Sequence, residues 1–213
     1  MRPMTSRHIP CRAVLFDCDG VLVDSTGPAE DAWGQWAREY GLDPAVVLDG
    51  MHGVRSQDTV ATYLPAEQRA EGHARIEQIE IAGAEGTVPI PGIPDLLAAL
   101  PGNWAVVTSA TLPLLRARLA AAGLPLPEVT ITGEAVQQGK PSPEGYLAAA
   151  ARLGVPIEQC VVVEDSAAGI QAGLAAGAGH VLGVGKGEAT EAAHSAVPDL
   201  TGVTWDGSGL RVG

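Results

Sequence analysis

The chain has 213 residues, 46% of them hydrophobic, enough for one substantial core or a core plus a small second domain. Its formal charge of −12 excludes nucleic acid and an anionic membrane surface as expected partners, and requires that any anionic ligand find positive potential made locally. No apolar run approaches the ~20 residues of a membrane span. The three cysteines (Cys11, Cys18, Cys160) form no dense framework, so a cytoplasmic chain with reduced, buried thiols is expected.

Along the chain, residues 1–10 carry Arg2, Arg7 and His8 with no apolar stretch after them, and read as a loose tail rather than a secretory signal. Ala13–Phe16 is apolar without alternation, the pattern of a strand buried on both faces of a parallel sheet. It runs into Asp17-Cys18-Asp19-Gly20. For roughly ninety residues no comparable strand signal follows. Instead Ala29, Ala32, Trp33, Trp36, Ala37 and Tyr40 keep the spacing of an amphipathic helix, which favours the two tryptophans as core residues of that helix over the alternative of substrate platforms. Thr59–Leu64 and Ala66–Ala84 predict two more helices. Gly27-Pro28 and Gly86–Gly92, with Pro89 and Pro91, bracket the stretch. Residues 27–87 are therefore expected to form a helical subdomain on two hinges, with 1–26 and 88–213 as the main body.

Beyond the insert, strands are predicted at Trp104–Thr108, Val129–Thr132, Cys160–Val163 and Val181–Val184. Between them lie helices at Leu112–Ala122, Pro143–Leu153 and Ala167–Ala176, each stopped by a glycine (Gly123, Gly154, Gly177). Alternation of this kind predicts an α/β fold: a doubly wound, mostly parallel sheet with helices on both faces and an inserted α-helical subdomain.

Three of the strands run into polar residues of catalytic type. The first leads to Asp17 and Asp19, the second to Thr108-Ser109, and the fourth to Glu164-Asp165-Ser166. In an open α/β sheet the ligand sits beyond the carboxyl ends of the strands, so these residues should meet in one crevice. Lys140 joins them from the loop Gly139–Pro143. Asp17, Asp19, Glu164 and Asp165 would crowd four carboxylates around Lys140, the one obvious cation, and such a cluster cannot stay ionised unaided. A divalent cation resolves the conflict, and a few carboxylates with water and a phosphate suit Mg2+ better than Ca2+. In an extended segment residues 17 and 19 project to the same side. Asp17 can then attack phosphorus while Asp19 protonates the leaving oxygen and later takes a proton from the hydrolytic water. Ser109, the Ala110 N–H and Lys140 are candidates to hold the phosphoryl oxygens. Singly, each of these residues has an ordinary structural explanation, as a turn acid, a helix cap or a surface lysine. Their joint order and placement carry the functional reading.

The same residues resemble the haloacid dehalogenase-like hydrolase superfamily. Phe16–Ser25 resembles its first motif, with Cys18 where a larger apolar residue is usual; Ser109 resembles the second, Lys140-Pro141 the third and Glu164–Ile170 the fourth. The resemblance runs from about Arg12 to Lys186. It implies Mg2+ held by the Asp17 and Asp165 carboxylates and the Asp19 main-chain carbonyl, with Glu164 nearby, and a helical cap of the β-phosphoglucomutase-like branch. His52–Thr59 is similar to a cap segment of small sugar-phosphate and polyol-phosphate phosphatases, which makes His52 and Arg55 candidate substrate contacts; the alternative for either is to cap a helix or pair with Asp58. The expected substrate is a small phosphorylated molecule, and the expected assembly a monomer or weak dimer. A sugar-phosphate mutase is the nearest rival, but mutases of this branch commonly carry a histidine four positions before the cap tryptophan, where this chain has Ala29. A dehalogenase needs no Asp19. A phospho-accepting signalling domain has a different motif order, and a non-catalytic phosphate-binding protein would not need every core motif residue.

Overall fold

The computed structural model describes residues 6–49 and 53–213. Strands β1 (Arg7–Pro10) and β2 (Ala13–Phe16) are followed by the two-residue strand β3 (Val23–Asp24). Four helices come next: α1 (Thr26–Glu39), α2 (Pro44–Leu48), α3 (Ser56–Tyr63) and α4 (Arg69–Gly83). After β4 (Val88–Pro89) the chain alternates α5 (Ile93–Ala99), β5 (Trp104–Val107), α6 (Leu112–Ala121), β6 (Val129–Ile131), α7 (Glu144–Leu153), β7 (Cys160–Glu164), α8 (Ala167–Ala175) and β8 (His180–Val184). It closes with β9 (Ser195–Val197), β10 (Val203–Trp205) and β11 (Gly209–Val212).

Six strands form one parallel sheet in the order β6-β5-β2-β7-β8-β9. From β2 the chain builds outward through β5 and β6, then crosses back to build β7, β8 and β9 on the other side, so the strand order reverses at β2. Every residue of β2, β5, β7 and β8 is buried, which is why their sequences are continuously apolar apart from Glu164 at the end of β7 and His180 at the start of β8. Side-chain alternation still sorts them: Val14, Phe16, Val106 and Val161 pack in one core, and Ala13, Leu15, Ala105 and Val162 in the core on the opposite face.

The sequence predicts five of these six strands; β9 is added at the edge. One expectation is corrected outright. The predicted loose tail contains β1, which pairs antiparallel with β11, itself paired with β10. Ile9 is buried there, and its partner strand lies at the far end of the chain, so no local pattern announces the pairing. Helices α2 and α5, too short to display a full periodicity, are likewise absent from the sequence reading. All three cysteines are buried and unpaired. No helix among the described residues is long and apolar enough to cross a membrane.

Helices α1–α4 bury a core of their own, with Ala32, Trp33, Trp36, Val47, Val60 and Ile76 at its centre. Trp36 Nε1 donates to Gly72 O at 2.9 Å, and a Cβ at Gly72 would overlap the Leu64 side chain, so glycine is what lets α1, α3 and α4 meet this closely. Antiparallel pairing of β3 with β4 joins the outgoing and returning connections.

Candidate active site

The site lies at the carboxyl edge of the parallel sheet, where strand order reverses. Asp17 N–H donates to Val163 O (3.0 Å), extending the β2–β7 ladder by one residue and fixing the backbone that carries its carboxylate. A tight loop follows, in which the N–H groups of Leu22 and Val23 both donate to Cys18 O (2.8 and 3.0 Å). Cys18 is fully buried in the core, so Asp17 and Asp19 face the same cavity. Gly20 has φ +76°, and a Cβ there would overlap the Asp165 carboxylate; conformation and space both demand glycine.

Behind Asp17 stands Glu164, fully buried at the end of β7. Its Oε1 lies 2.5 Å from Lys140 Nζ and accepts from the Tyr146 hydroxyl at 2.8 Å. Its Oε2 accepts from the N–H groups of Asp165 (3.0 Å) and Ser166 (3.1 Å) and from Ser166 Oγ (3.0 Å). Ser166 Oγ in turn accepts from Gly169 N–H, capping α8. Lys140 Nζ is also 2.8 Å from Asp17 Oδ1, so Glu164 is the buried anchor that places Lys140 against Asp17.

The charges reinforce one another. Burial drives the Asp17 carboxyl well above the usual range; Lys140 opposes this, while Glu164, Asp165 and Asp19 add to it. Asp165 is pushed up to about 7, first by burial and then by Glu164. Burial works against the Lys140 charge, but Asp17 and Glu164 outweigh it and hold its pKa above that of an ordinary lysine. One carboxylate oxygen from each of Asp17, Glu164 and Asp165 lies within 4.8 Å of the others, a set that could hold a metal ion. Carboxyls raised by burial and mutual repulsion are the groups a divalent cation would draw back to the ionised form.

Beyond β5, Ser109 Oγ donates to Gly53 O (2.9 Å) from the helical insert, and Ala110 N–H donates to Thr108 Oγ1 (3.1 Å). Asp19 is held away from Asp17 on both oxygens: Oδ1 accepts from Ser25 Oγ (2.6 Å) and Oδ2 from Arg118 Nη1 (2.9 Å). Arg118 Nη2 reaches Glu80 Oε1, also at 2.9 Å.

Asp17, Asp19, Ser109, Ala110 and Asp165 thus line one cavity of about 120 Å3, roofed by Ala29, Trp33, Val54, Ser56 and Glu80. Lys140 and Glu164 stand behind its floor, with Lys140 in contact with both Asp17 and Glu164. Arg55 is not among the lining residues. Its guanidinium holds Asp58 from Nε (2.7 Å) and Nη2 (3.1 Å), while Nη1 points at the carbonyls of Gly133, Val136 and Gln137 (3.3–3.5 Å). That geometry fastens the insert to the loop after β6. His52 lies outside the described residues. Trp36 is core, whereas Trp33 is both core and roof. Sequence reasoning missed Arg118 and Glu80. The signal was present: each is a charged residue within the apolar stripe of its helix, beside Leu115 and Leu119 in α6 and beside Ile76 and Ile79 in α4.

The sequence pattern of the haloacid dehalogenase-like hydrolases matches residues 11–177. Hexitol phosphatase A of Escherichia coli is 44% identical over 182 residues, covering 82% of this chain and 83% of that protein. 2-Deoxyglucose-6-phosphate phosphatase 2 of Saccharomyces cerevisiae is 34% identical over 187 residues, covering 77% and 76%. The crystal structure of β-phosphoglucomutase from Clostridium difficile superposes with a TM-score of 0.80 over 90% of this chain and 92% of that one; at 22% identity this is a likeness of fold.

Proposed function

The chain belongs to the haloacid dehalogenase-like hydrolases and is a phosphatase, and on that premise we propose that it hydrolyses sugar or polyol phosphates through a phosphoryl group carried on Asp17. The observation that carries this reading is the contact of Asp17 Oδ1 with Lys140 Nζ at 2.8 Å, beside a second acid, Asp19, facing the same cavity. Asp17 attacks phosphorus, an aspartyl–phosphorus bond forms, and the bond to the alcohol oxygen breaks. Asp19 gives its proton to that oxygen. Water then attacks phosphorus and gives up a proton to Asp19, and inorganic phosphate leaves as the Asp17 bond breaks. Each Asp19 oxygen accepts one hydrogen bond, Oδ1 from Ser25 and Oδ2 from Arg118, and keeps a second lone pair for the proton it exchanges. Lys140 screens the charge of Asp17 and of the arriving phosphoryl group.

Mg2+ held by the Asp17 and Asp165 carboxylates and the Asp19 main-chain carbonyl would neutralise the phosphate and offset the local excess of negative charge. Glu164 serves this site from behind: five contacts already occupy its oxygens, so it positions Lys140 and the Asp165 backbone. Residues 27–87 form the cap that shields the reaction from bulk water. The hexitol and deoxyglucose phosphate specificities named for the two relatives point to the same substrate class here.

A phosphate-release screen over polyol, sugar and nucleotide phosphates, with and without Mg2+, tests this reading. Metal-dependent release from polyol or sugar phosphates, abolished by Asp17→Asn, is expected. Full activity in Asp17→Asn would sink the covalent route. Interconversion of sugar phosphate isomers without release would replace hydrolysis by a mutase reaction.

A further inference from the structure

The phosphoryl end of the substrate is fixed by Asp17, so the leaving group must extend beneath the cap. Apolar wall there comes from Ala29, Trp33 and Val54 of the cap and Leu114 of the body. Set among these are two charged side chains, Glu80 of the cap and Arg118 of the body, each 7% exposed and 2.9 Å apart; Arg118 also holds Asp19, whereas the phosphoryl chemistry has no use for Glu80. Burying two charges is expensive, and an apolar pair of similar size would fasten the cap at least as well. Their presence in the cavity wall therefore calls for a ligand.

We propose that Glu80 and Arg118 together are the specificity element for the leaving group, hydrogen-bonding hydroxyls on the polyol or sugar carbons beyond the phosphate ester. A hydroxyl both donates and accepts, and with Glu80 ionised this pair supplies one group that only accepts beside one that only donates. Among the described residues the guanidinium uses Nη1 on Asp19 and Nη2 on Glu80, so most of its five N–H bonds are uncommitted to protein partners. Glu80 commits only Oε1 in the same set. The two residues come from opposite sides of the cap–body junction, α4 and α6, so the pair is complete only when the cap is seated. Arg118 also touches Asp19, the proposed acid and base, which makes it a positioning residue as well as a substrate contact. The inference rests on the proposed phosphatase reaction and names the part of the pocket that selects its substrate.

The test compares kcat/KM for a hexitol phosphate, glycerol phosphate and phenyl phosphate, whose leaving group has no hydroxyl chain, in wild type, Glu80→Leu and Glu80→Gln. The ratio of hexitol to phenyl phosphate does not depend on how much of each preparation is folded. In Glu80→Leu this ratio should fall by about tenfold or more, carried by KM for the hexitol phosphate, since a charged hydrogen bond is lost to each hydroxyl it served. Glu80→Gln, which keeps an acceptor, should retain more of the ratio. Arg118→Lys should also lower the ratio, together with kcat on every substrate through Asp19. A hexitol-to-phenyl ratio within twofold of wild type in Glu80→Leu would overturn the proposal and leave the pair as a cap fastening. Wild-type protein inactive on all phosphates would instead overturn the proposed reaction.

Discussion

Arg118 Nη1 lies 2.9 Å from Asp19 Oδ2, across 99 positions of chain, while its other terminal nitrogen grips Glu80 of the cap. One buried guanidinium thus ties the proposed proton-transfer group to the element that covers the substrate. The net charge of the chain had left open how an acidic protein attracts a phosphorylated substrate. Lys140 and Arg118 now supply two cations at the cavity, one on either acid of the Asp17/Asp19 pair.

Asp19 should be needed more for one half-reaction than the other when the leaving group is good. With a dinitrophenyl phosphate, departure needs no proton, but hydrolysis of the aspartyl phosphate still needs a base. Asp19→Asn should then release a burst of phenolate equal to the enzyme present, followed by turnover slowed by about 10²–10⁴-fold. Steady turnover without a burst, at the wild-type rate, would remove Asp19 from the second step.

Lys140→Ala leaves the Asp17 and Glu164 carboxylates buried without their cation. A loss of about 3–5 kcal/mol in unfolding free energy is expected from stranding buried charge, measured by urea denaturation without metal. Adding Asp17→Asn should recover part of that loss, because one of the stranded charges is gone. Strictly additive losses would show that the pair is not coupled.

Gly169 provides a prediction of unusual sign. Alanine normally gains about 0.8–1 kcal/mol over glycine in a helix. A Cβ at Gly169 would instead overlap the Glu164 carboxylate, so Gly169→Ala should destabilise the protein and misplace Lys140, lowering kcat. Gly83→Ala, at the end of α4 with open space around it, is the control and should be neutral or stabilising. Thermal melts of the two variants decide it.

Arg55→Ala should act on cap attachment. Its guanidinium spans Asp58 and the carbonyls after β6, so its loss should lower kcat by a similar factor on every substrate and speed proteolysis in the 84–92 connection. A change confined to one substrate would instead place Arg55 against the leaving group.

Glu80 and Asp165 each have a folded pKa of about 7, raised chiefly by burial from 4.5 and 3.8 respectively. A folded state that binds the proton more tightly than the unfolded chain is favoured at low pH. That advantage is lost as pH rises from the unfolded value through about 7. Without metal, these two groups should lower Tm as pH rises through that window, and Glu80→Gln should flatten the fall. Mg2+ binds ionised carboxylates, so it should raise Tm more at about pH 8 than at about pH 5.5. Equal Mg2+ stabilisation at both values would argue against Asp165 as a ligand.

The sequence alone determined the alternation of buried strands and helices and the helical character of the insert. It also placed Asp17, Asp19, Ser109 and Asp165 at strand ends. These are legible because burial on both faces writes a continuous apolar run, and because strand ends of a parallel sheet share one edge. Tertiary structure alone decided that Arg7–Pro10 is a strand rather than a tail, since its hydrogen bonds go to residues 209–212. It likewise decided that Arg55 spans cap and body, and that Glu164 is consumed as an anchor for Lys140. Arg118 and Glu80 are the clearest case. In sequence each is one charge on an otherwise apolar helix face, and a lone charge says nothing about its partner. Only the seating of α4 against α6 brings the two within hydrogen-bond distance, because the attraction that justifies burying either one exists only in the folded chain.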